Sequence, residues 1–148
     1  LKEENIFLVD GAADAAKQEK RFNDFLKDNK IDIQILGIGN NGHIGFNEPD
    51  SYFTASAHKV ELAEETIKAN ARFFEKESDV PRSAITMGMY GIATAANVIL
   101  VATGAAKAPA IKKLLESDHV DPQLPCSILH ICEDATVIVD KDLYELTK

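Results

Sequence analysis

A strand that ends in a glycine-rich loop is the feature that most constrains the fold of this chain. Apolar and polar residues alternate over residues 31–35, and the chain soon continues Gly37-Ile38-Gly39-Asn40-Asn41-Gly42. Alternation with a period of two favours a half-buried strand, and the glycines that follow favour a loop. Ligands of open α/β sheets bind beyond the carboxyl ends of the strands, so we expect a ligand site at this loop.

Strands and helices alternate along the rest of the chain. We predict strands over residues 5–9, 31–36, 84–87, 98–101 and 136–139, and helices over residues 12–30, 61–77, 91–96 and 104–115. This order predicts an α/β fold with a layered, mostly parallel, Rossmann-like sheet and helices on both faces. The run Val98-Ile99-Leu100-Val101 is entirely apolar, which is typical of a strand buried on both faces of a parallel sheet.

The length of the chain, 148 residues, suits one domain with its own hydrophobic core. We therefore expect a single α/β domain over residues 1–148. Residues 48–59 carry neither a helix pattern nor a strand pattern, and we expect a mobile loop there. That loop would belong to a lid segment over roughly residues 50–80.

The predicted helix over residues 61–77 has one apolar face. Leu62, Ala69 and Phe73 share this face, with Thr66 between them.

The formal net charge of −8 argues against binding of nucleic acid or an anionic membrane, since both need a basic surface. Binding of a small anionic ligand is compatible with this negative net charge, because a few local cations suffice to bind it. Cys126 and Cys132 have neither the CxxC redox spacing nor the spacing of a zinc ribbon, and we expect no metal site. The chain shows no transmembrane-length apolar run and no signal-peptide pattern, so we expect a cytoplasmic protein.

The glycine-rich loop has competing interpretations. Gly37-x-Gly39-x-x-Gly42 satisfies the dinucleotide-binding fingerprint, which also requires a helix directly after the last glycine. Here the chain continues His43-Ile44-Gly45-Phe46-Asn47-Glu48-Pro49, and its glycine and proline disfavour a long helix. A site built from side chains fits better, because histidine titrates near neutrality and a carboxylate can orient it. A turn whose polar side chains only satisfy backbone groups stays open on these residues alone.

The segment Leu36-Gly37-Ile38-Gly39-Asn40-Asn41-Gly42-His43-Ile44-Gly45-Phe46-Asn47-Glu48-Pro49 resembles the signature of the glucosamine-6-phosphate deaminases, or isomerases. The related 6-phosphogluconolactonases share its Gly-His core but not its Phe-Asn-Glu-Pro continuation. Further matches occur over residues 69–74, 84–88 and 104–107, so the likeness covers nearly the whole chain. The resemblance implies a metal-independent enzyme, without a cofactor, that converts glucosamine 6-phosphate and water to fructose 6-phosphate and ammonia.

The resemblance also implies which residues do the chemistry. A histidine at the position of His43 opens the sugar ring, assisted by a carboxylate matching Glu48 and by the residue matching Asn41. Ring opening moves a proton between the anomeric hydroxyl and the ring oxygen, which an imidazole can do. Some members carry aspartate where this chain has Asn41. An amide can orient an imidazole by a hydrogen bond, but it cannot stabilise an imidazolium by charge.

The phosphate of the substrate is implied to bind cations that match Arg72 and Lys107. A guanidinium offers a planar fork suited to phosphate oxygens. Lys107 falls in the first turn of a predicted helix, where the macrodipole disfavours a cation and a bound anion would compensate for it. The loop glycines Gly37, Gly39 and Gly42 are expected to contribute to substrate binding as well.

Family members begin with a region that supplies a phosphate loop and the aspartate that abstracts the C2 proton. Asp10-Gly11 and Asp14 lack the pattern that surrounds that aspartate. We therefore expect the C-terminal portion of such an enzyme, which by itself binds sugar phosphate weakly and does not turn it over. The alternative is a non-catalytic sugar-phosphate binding or regulatory module. The family includes monomers and higher oligomers, so a homo-oligomer is compatible with the resemblance.

Overall fold

The computed structural model describes residues 2–148 and shows helices and strands in alternation. Its elements are α1 (Ala15–Asp28), β1 (Ile33–Leu36), β2 (His58–Glu61), α2 (Glu64–Asn70), β3 (Ser83–Thr86), α3 (Met89–Ala93), β4 (Asn97–Ala102), α4 (Ala108–Glu116), β5 (Ala135–Val139) and α5 (Lys141–Glu145). Short 3-10 turns lie at Glu3–Asn5, Ala71–Phe73, Glu77–Asp79, Ala105–Lys107 and Pro125–Ile131.

Two sheets organise these elements. β1, β4 and β5 form a parallel sheet in the order β1-β4-β5, and β2 pairs with β3 in a separate antiparallel ribbon. The central register places Leu36 of β1 beside Leu100 of β4, which lies beside Val137 of β5. The structure thus confirms the α/β class with a mostly parallel sheet, while the extent of the domain and the lid stay predictions.

One face of the parallel sheet carries the hydrophobic core. Leu36, Val98 and Leu100 point into it, where they meet the buried stripe of α4 around Ile111 and the Pro125–Ile131 turn. The other face is largely uncovered, with Ile33 60% and Ile35 67% exposed on β1. No helix within residues 2–148 combines the length and hydropathy that a membrane crossing requires.

The prediction that β4 is buried on both faces is wrong for this chain. Val98 and Leu100 are buried, whereas Val101 is 38% exposed. All four residues of the run are apolar, which is typical of a strand covered on both faces. Within residues 2–148, however, only one face of β4 is covered.

The predicted strand over residues 5–9 is also wrong. The chain makes a 3-10 turn at Glu3–Asn5 and then runs on without strand pairing. The ring of Phe7 stacks on Phe25 of α1 with 4.2 Å between centroids, and Arg21 Nη1 donates to the Leu8 carbonyl at 2.7 Å. Side-chain contacts with α1 therefore hold this segment in place of a sheet neighbour.

The predicted helix over residues 61–77 is shorter in the structure. α2 spans Glu64–Asn70 and a 3-10 turn follows at Ala71–Phe73. Residue 61 belongs instead to β2, which is paired with β3 and begins inside the segment expected to be unpatterned. At the other end, Asn70 Nδ2 donates to the Thr66 carbonyl at 2.8 Å, a side-chain bond of the kind that competes with helix continuation.

Candidate active site

The loop after β1 folds into a tight turn. Gly39 N donates to the His43 carbonyl at 2.9 Å, and Gly42 N donates to the Gly39 carbonyl at 3.1 Å. Gly42 has φ 87°, and a Cβ there would lie 2.6 Å from Leu124 Cδ1. Glycine is therefore required at position 42 both by its backbone and by the packing of the loop on the core.

The imidazole of His43 lies flat against this turn. A Cβ at Gly39 would lie 2.3 Å from both Nδ1 and Cε1 of the ring. The backbone N–H of His43 donates to Asn41 Oδ1 at 3.1 Å. This bond holds the backbone from which the imidazole extends. The absence of a side chain at Gly39 thus creates the space that the ring occupies.

A carboxylate lies next to the imidazole. Glu48 Oε2 is 3.3 Å from His43 Nδ1 and accepts a bond from Asn41 Nδ2 at 2.7 Å. The other oxygen, Oε1, accepts a bond from the Thr66 hydroxyl at 2.6 Å. Both oxygens of Glu48 are therefore engaged, and its orientation toward His43 is fixed from two sides.

This environment favours the ionised form of Glu48. Burial, the largest single influence, raises the pKa of the carboxyl group, but hydrogen bonds from His43, Thr66 and Asn41 together outweigh it. The result is a pKa of about 2, well below the ordinary value of 4.5. A carboxylate that stays charged at neutral pH can stabilise a proton on His43.

The turn that follows His43 is held under backbone strain. Phe46 adopts φ 62°, a region that non-glycine residues rarely occupy. Asn47 is buried and donates through Nδ2 to the Ile44 carbonyl at 3.0 Å and to Thr86 Oγ1 at 3.2 Å. These bonds tie the loop to β3 and keep Glu48 on the same side as His43.

A cleft of about 280 Å³ opens in front of His43, and two cations line it. Arg72 comes from the 3-10 turn after α2, and Lys107 from the turn just before α4. The pKa of Lys107 is lowered, first by burial and then by the nearby Arg72 charge, while Glu65 opposes the shift. Two cations near each other without a matching pair of carboxylates form a suitable site for an anion.

The structure brings the residues expected at the site together. Those that line the cleft are Gly37, Gly39, Asn41, His43, Arg72 and Lys107. Glu48 lies behind the imidazole, and Gly42 lies behind the loop, against Leu124. Their roles stay predictions, but their common location is a property of the fold.

Sequence reasoning missed Thr66 and Glu65 as members of the site. Both line the cleft, and Thr66 also contacts Glu48. The only signal for Thr66 was a hydroxyl between apolar positions of a helix face. Glu65 gave no signal in the sequence, because acidic residues are common in the first turn of a helix.

The geometry excludes the dinucleotide interpretation. The fingerprint needs a helix directly after Gly42, but residues 43–57 contain turns and a short bridge between Ile44 and Asn47. The next helix is α2.

A family model described as glucosamine-6-phosphate isomerases/6-phosphogluconolactonase matches residues 1–138. A glucosamine-6-phosphate deaminase of Lactobacillus helveticus is 51% identical over 136 residues, which are 91% of this chain and 56% of the relative. The enzyme of the same name from Clostridium acetobutylicum is 46% identical over 143 residues, covering 95% of this chain and 59% of the relative. This chain therefore spans somewhat more than half the length of these relatives.

Solved structures agree with this match. A monomeric glucosamine-6-phosphate deaminase superimposes with a TM-score of 0.92 at 39% identity, covering 98% of this chain and 61% of the other. A 6-phosphogluconolactonase from Thermotoga maritima gives 0.71 at 16% identity, covering 95% and 58%, and supports the fold alone.

Fold and cleft together define an α/β domain in which a strand-end loop presents a histidine–carboxylate pair beside two cations. More particularly, the chain belongs to the glucosamine-6-phosphate isomerase/6-phosphogluconolactonase family.

Proposed function

We propose that this chain is the ring-opening and phosphate-binding part of a glucosamine-6-phosphate deaminase, which converts glucosamine 6-phosphate and water to fructose 6-phosphate and ammonia. The observation that carries the proposal is the single cleft that contains His43, backed by Glu48, together with Arg72 and Lys107. The names of the relatives of 46–51% identity support the same reaction.

His43 is the proposed proton carrier of ring opening. The imidazole takes the proton of the anomeric hydroxyl as C1 becomes a carbonyl, the bond between C1 and the ring oxygen breaks, and the ring oxygen accepts the proton. One imidazole serves both transfers, so no proton is gained or lost. The carboxylate of Glu48, 3.3 Å from Nδ1, stabilises the imidazolium between the two steps.

Arg72 and Lys107 are the proposed anchors of the phosphate. Arg72 can hold two phosphate oxygens at once, and Lys107, whose pKa is lowered by burial and by Arg72, regains a favourable environment when a dianion binds. Binding at this end of the substrate places the sugar ring toward His43, which lines the same cleft.

The later steps, proton abstraction at C2 and loss of the amine, need a base that we do not assign to these residues. We propose that the 148-residue chain opens the ring of the bound sugar phosphate without releasing ammonia. In this chain, ring opening would therefore occur without proton abstraction at C2 and without loss of the amine.

Exchange spectroscopy by NMR tests the proposal, because ring opening interconverts the α and β anomers of glucosamine 6-phosphate. The chain should accelerate this exchange, and His43→Asn should abolish the acceleration while binding persists. His119→Asn is the matched control, since His119 is exposed and its Nδ1 pairs with the adjacent Asp118. Arg72→Met and Lys107→Met should each weaken binding, whereas Lys68→Met should not, because Lys68 lies on α2 but does not line the cleft.

A non-catalytic sugar-phosphate binding module is the competing function. It predicts binding that depends on Arg72 and Lys107 with an anomer exchange rate equal to that of buffer. An ammonia-release assay on the same samples decides the extent of the reaction, because sustained release would show that the chain carries the C2 base as well.

A further inference from the structure

Thr66 is a buried polar residue at the centre of the site. It lies on α2, is 3% exposed, and points its hydroxyl at the contact between Glu48 and His43. The oxygen Oγ1 is 2.6 Å from Glu48 Oε1 and 3.4 Å from His43 Nδ1. One hydroxyl thus reaches both members of the proposed catalytic pair.

The direction of these bonds can be worked out from the number of hydrogens. A threonine hydroxyl has one hydrogen, and the ionised Glu48 carboxylate can only accept, so Thr66 donates to Glu48 Oε1. Its oxygen then faces His43 Nδ1 as an acceptor. Glu48 Oε2, 3.3 Å from the same nitrogen, is an acceptor too.

Nδ1 of His43 therefore faces two acceptors. A ring nitrogen in that position is favoured to carry a hydrogen, since a bare nitrogen would face two oxygen lone pairs. In the neutral imidazole, the other nitrogen, Nε2, is then the bare one. No hydrogen-bond partner for Nε2 occurs among residues 2–148, and His43 lines the cleft.

We propose that Thr66 is a positioning residue that holds the Glu48 carboxylate in place and sets the Nδ1–H tautomer of His43, leaving Nε2 as the base that faces the sugar. This inference rests on the proposed function for its catalytic consequence, but the tautomer itself is a property of the free protein. Helix α2 would then contribute to both parts of the site, because Thr66 lies on the helix and the turn that follows it carries Arg72.

If Thr66 served only to pack the core, different substitutions would be tolerated at this position. Valine has nearly the same shape, so it would satisfy a requirement for packing, but it cannot donate to Glu48. Serine retains the hydroxyl and loses only a methyl group. The pair Thr66→Val and Thr66→Ser therefore separates the hydroxyl from the packing.

The test combines three measurements on wild type, Thr66→Val, Thr66→Ser and the control Thr94→Val. Thr94 directly follows α3, and its exposed hydroxyl donates to the Tyr90 carbonyl of that helix. Imidazole ¹⁵N shifts report the tautomer, NMR exchange spectroscopy the ring-opening rate, and calorimetry the affinity for inorganic phosphate. We expect wild-type His43 to be the Nδ1–H tautomer. Thr66→Val should mix the tautomers and slow ring opening about ten- to hundredfold with phosphate affinity unchanged, and Thr66→Ser should restore both.

Each failure has its own meaning. An Nε2–H tautomer in the wild-type spectrum overturns the inference even if no variant folds. Thr66→Val with the wild-type tautomer and rate overturns it as well. If wild type shows the Nδ1–H tautomer, shifted in Thr66→Val, but no accelerated anomer exchange, then the proposed function fails while the role of Thr66 in holding the imidazole stands.

Discussion

The ring of His43 occupies space that exists only because residue 39 has no side chain. In Gly39→Ala the new Cβ would lie 2.3 Å from Nδ1 and Cε1, so the imidazole must leave its present position beside Glu48. We expect ring opening to slow about a hundredfold, the size typical of a misplaced catalytic group. Gly11→Ala is the control, because a Cβ at Gly11 meets nothing within 4 Å and Gly11 does not line the cleft. Equal effects of the two substitutions on anomer exchange would contradict this account.

Glu48 should make the stability of the chain depend on pH. Its pKa in the folded state is about 2, below the ordinary 4.5, so the unfolded chain takes up a proton first as the pH falls. The stabilisation is complete above about pH 5 and is lost toward pH 2, with an upper bound of about 3 kcal/mol. Urea unfolding of wild type and Glu48→Gln across this range measures it. The difference between the two proteins should shrink as the pH falls, and a constant difference would refute the assignment.

Helix α2 and the turn before α4 supply opposite charges to one cleft. Glu65 of α2 lines the cleft with Arg72 and Lys107, and its charge acts on Lys107. Glu65→Gln removes a repulsion on the incoming anion, so inorganic phosphate should bind about two- to fivefold tighter at low salt, as expected for one screened charge. Titration calorimetry at low and high salt measures this change.

A neighbouring acid provides the control for that substitution. Glu64 occupies the same first turn of α2 but pairs with Arg82 at 2.8 Å and does not line the cleft. Glu64→Gln should leave phosphate affinity unchanged. If both substitutions strengthen binding alike, the effect belongs to net charge and not to the cleft.

The elements show which parts of the site a sequence can reveal. The turn from Gly39 to Glu48 was predictable because its residues are close in sequence and follow a clear strand. Arg72 and Lys107 were expected only through the resemblance, since their meeting depends on how α2 and α4 pack. Thr66 was missed for the same physical reason: its partner lies on another element.

Strand β2 was missed because its local pattern is weak. Of its four residues, His58-Lys59-Val60-Glu61, one is apolar, and the strand exists because it pairs with β3 and because Glu19 of α1 accepts the Lys59 N–H at 2.7 Å. Because residue 61 takes part in this pairing, it does not belong to the helix that was predicted to begin there. Nonlocal contacts overrode local propensity at both points.

At the scale of the whole molecule, the uncovered face of the parallel sheet should drive self-association. Ile33 and Ile35 on β1, Val101 on β4 and Ile138 on β5 are exposed, and the register places Val101 beside Ile138. The double substitution Ile33→Thr/Ile35→Thr keeps strand propensity and lowers apolar exposure, so sedimentation velocity should show a smaller weight-average mass. Leu115→Gln removes another exposed apolar side chain, 55% exposed on α4, and should not reduce association. A monomeric wild-type chain at high concentration would contradict the prediction.

The loop that carries His43 is placed by a strand pairing between distant parts of the chain. β1 pairs with β4 in parallel, and Asn97 Nδ2 reaches the carbonyl of Asp32, 65 residues away. Closing a loop of that length loses entropy before any contact is gained, so such pairings form slowly. Helices α1 and α4 contain local hydrogen bonds, whereas the cleft between the loop, α2 and the turn before α4 also requires the sheet. We therefore expect this cleft to be among the last parts of the molecule to form as the chain folds.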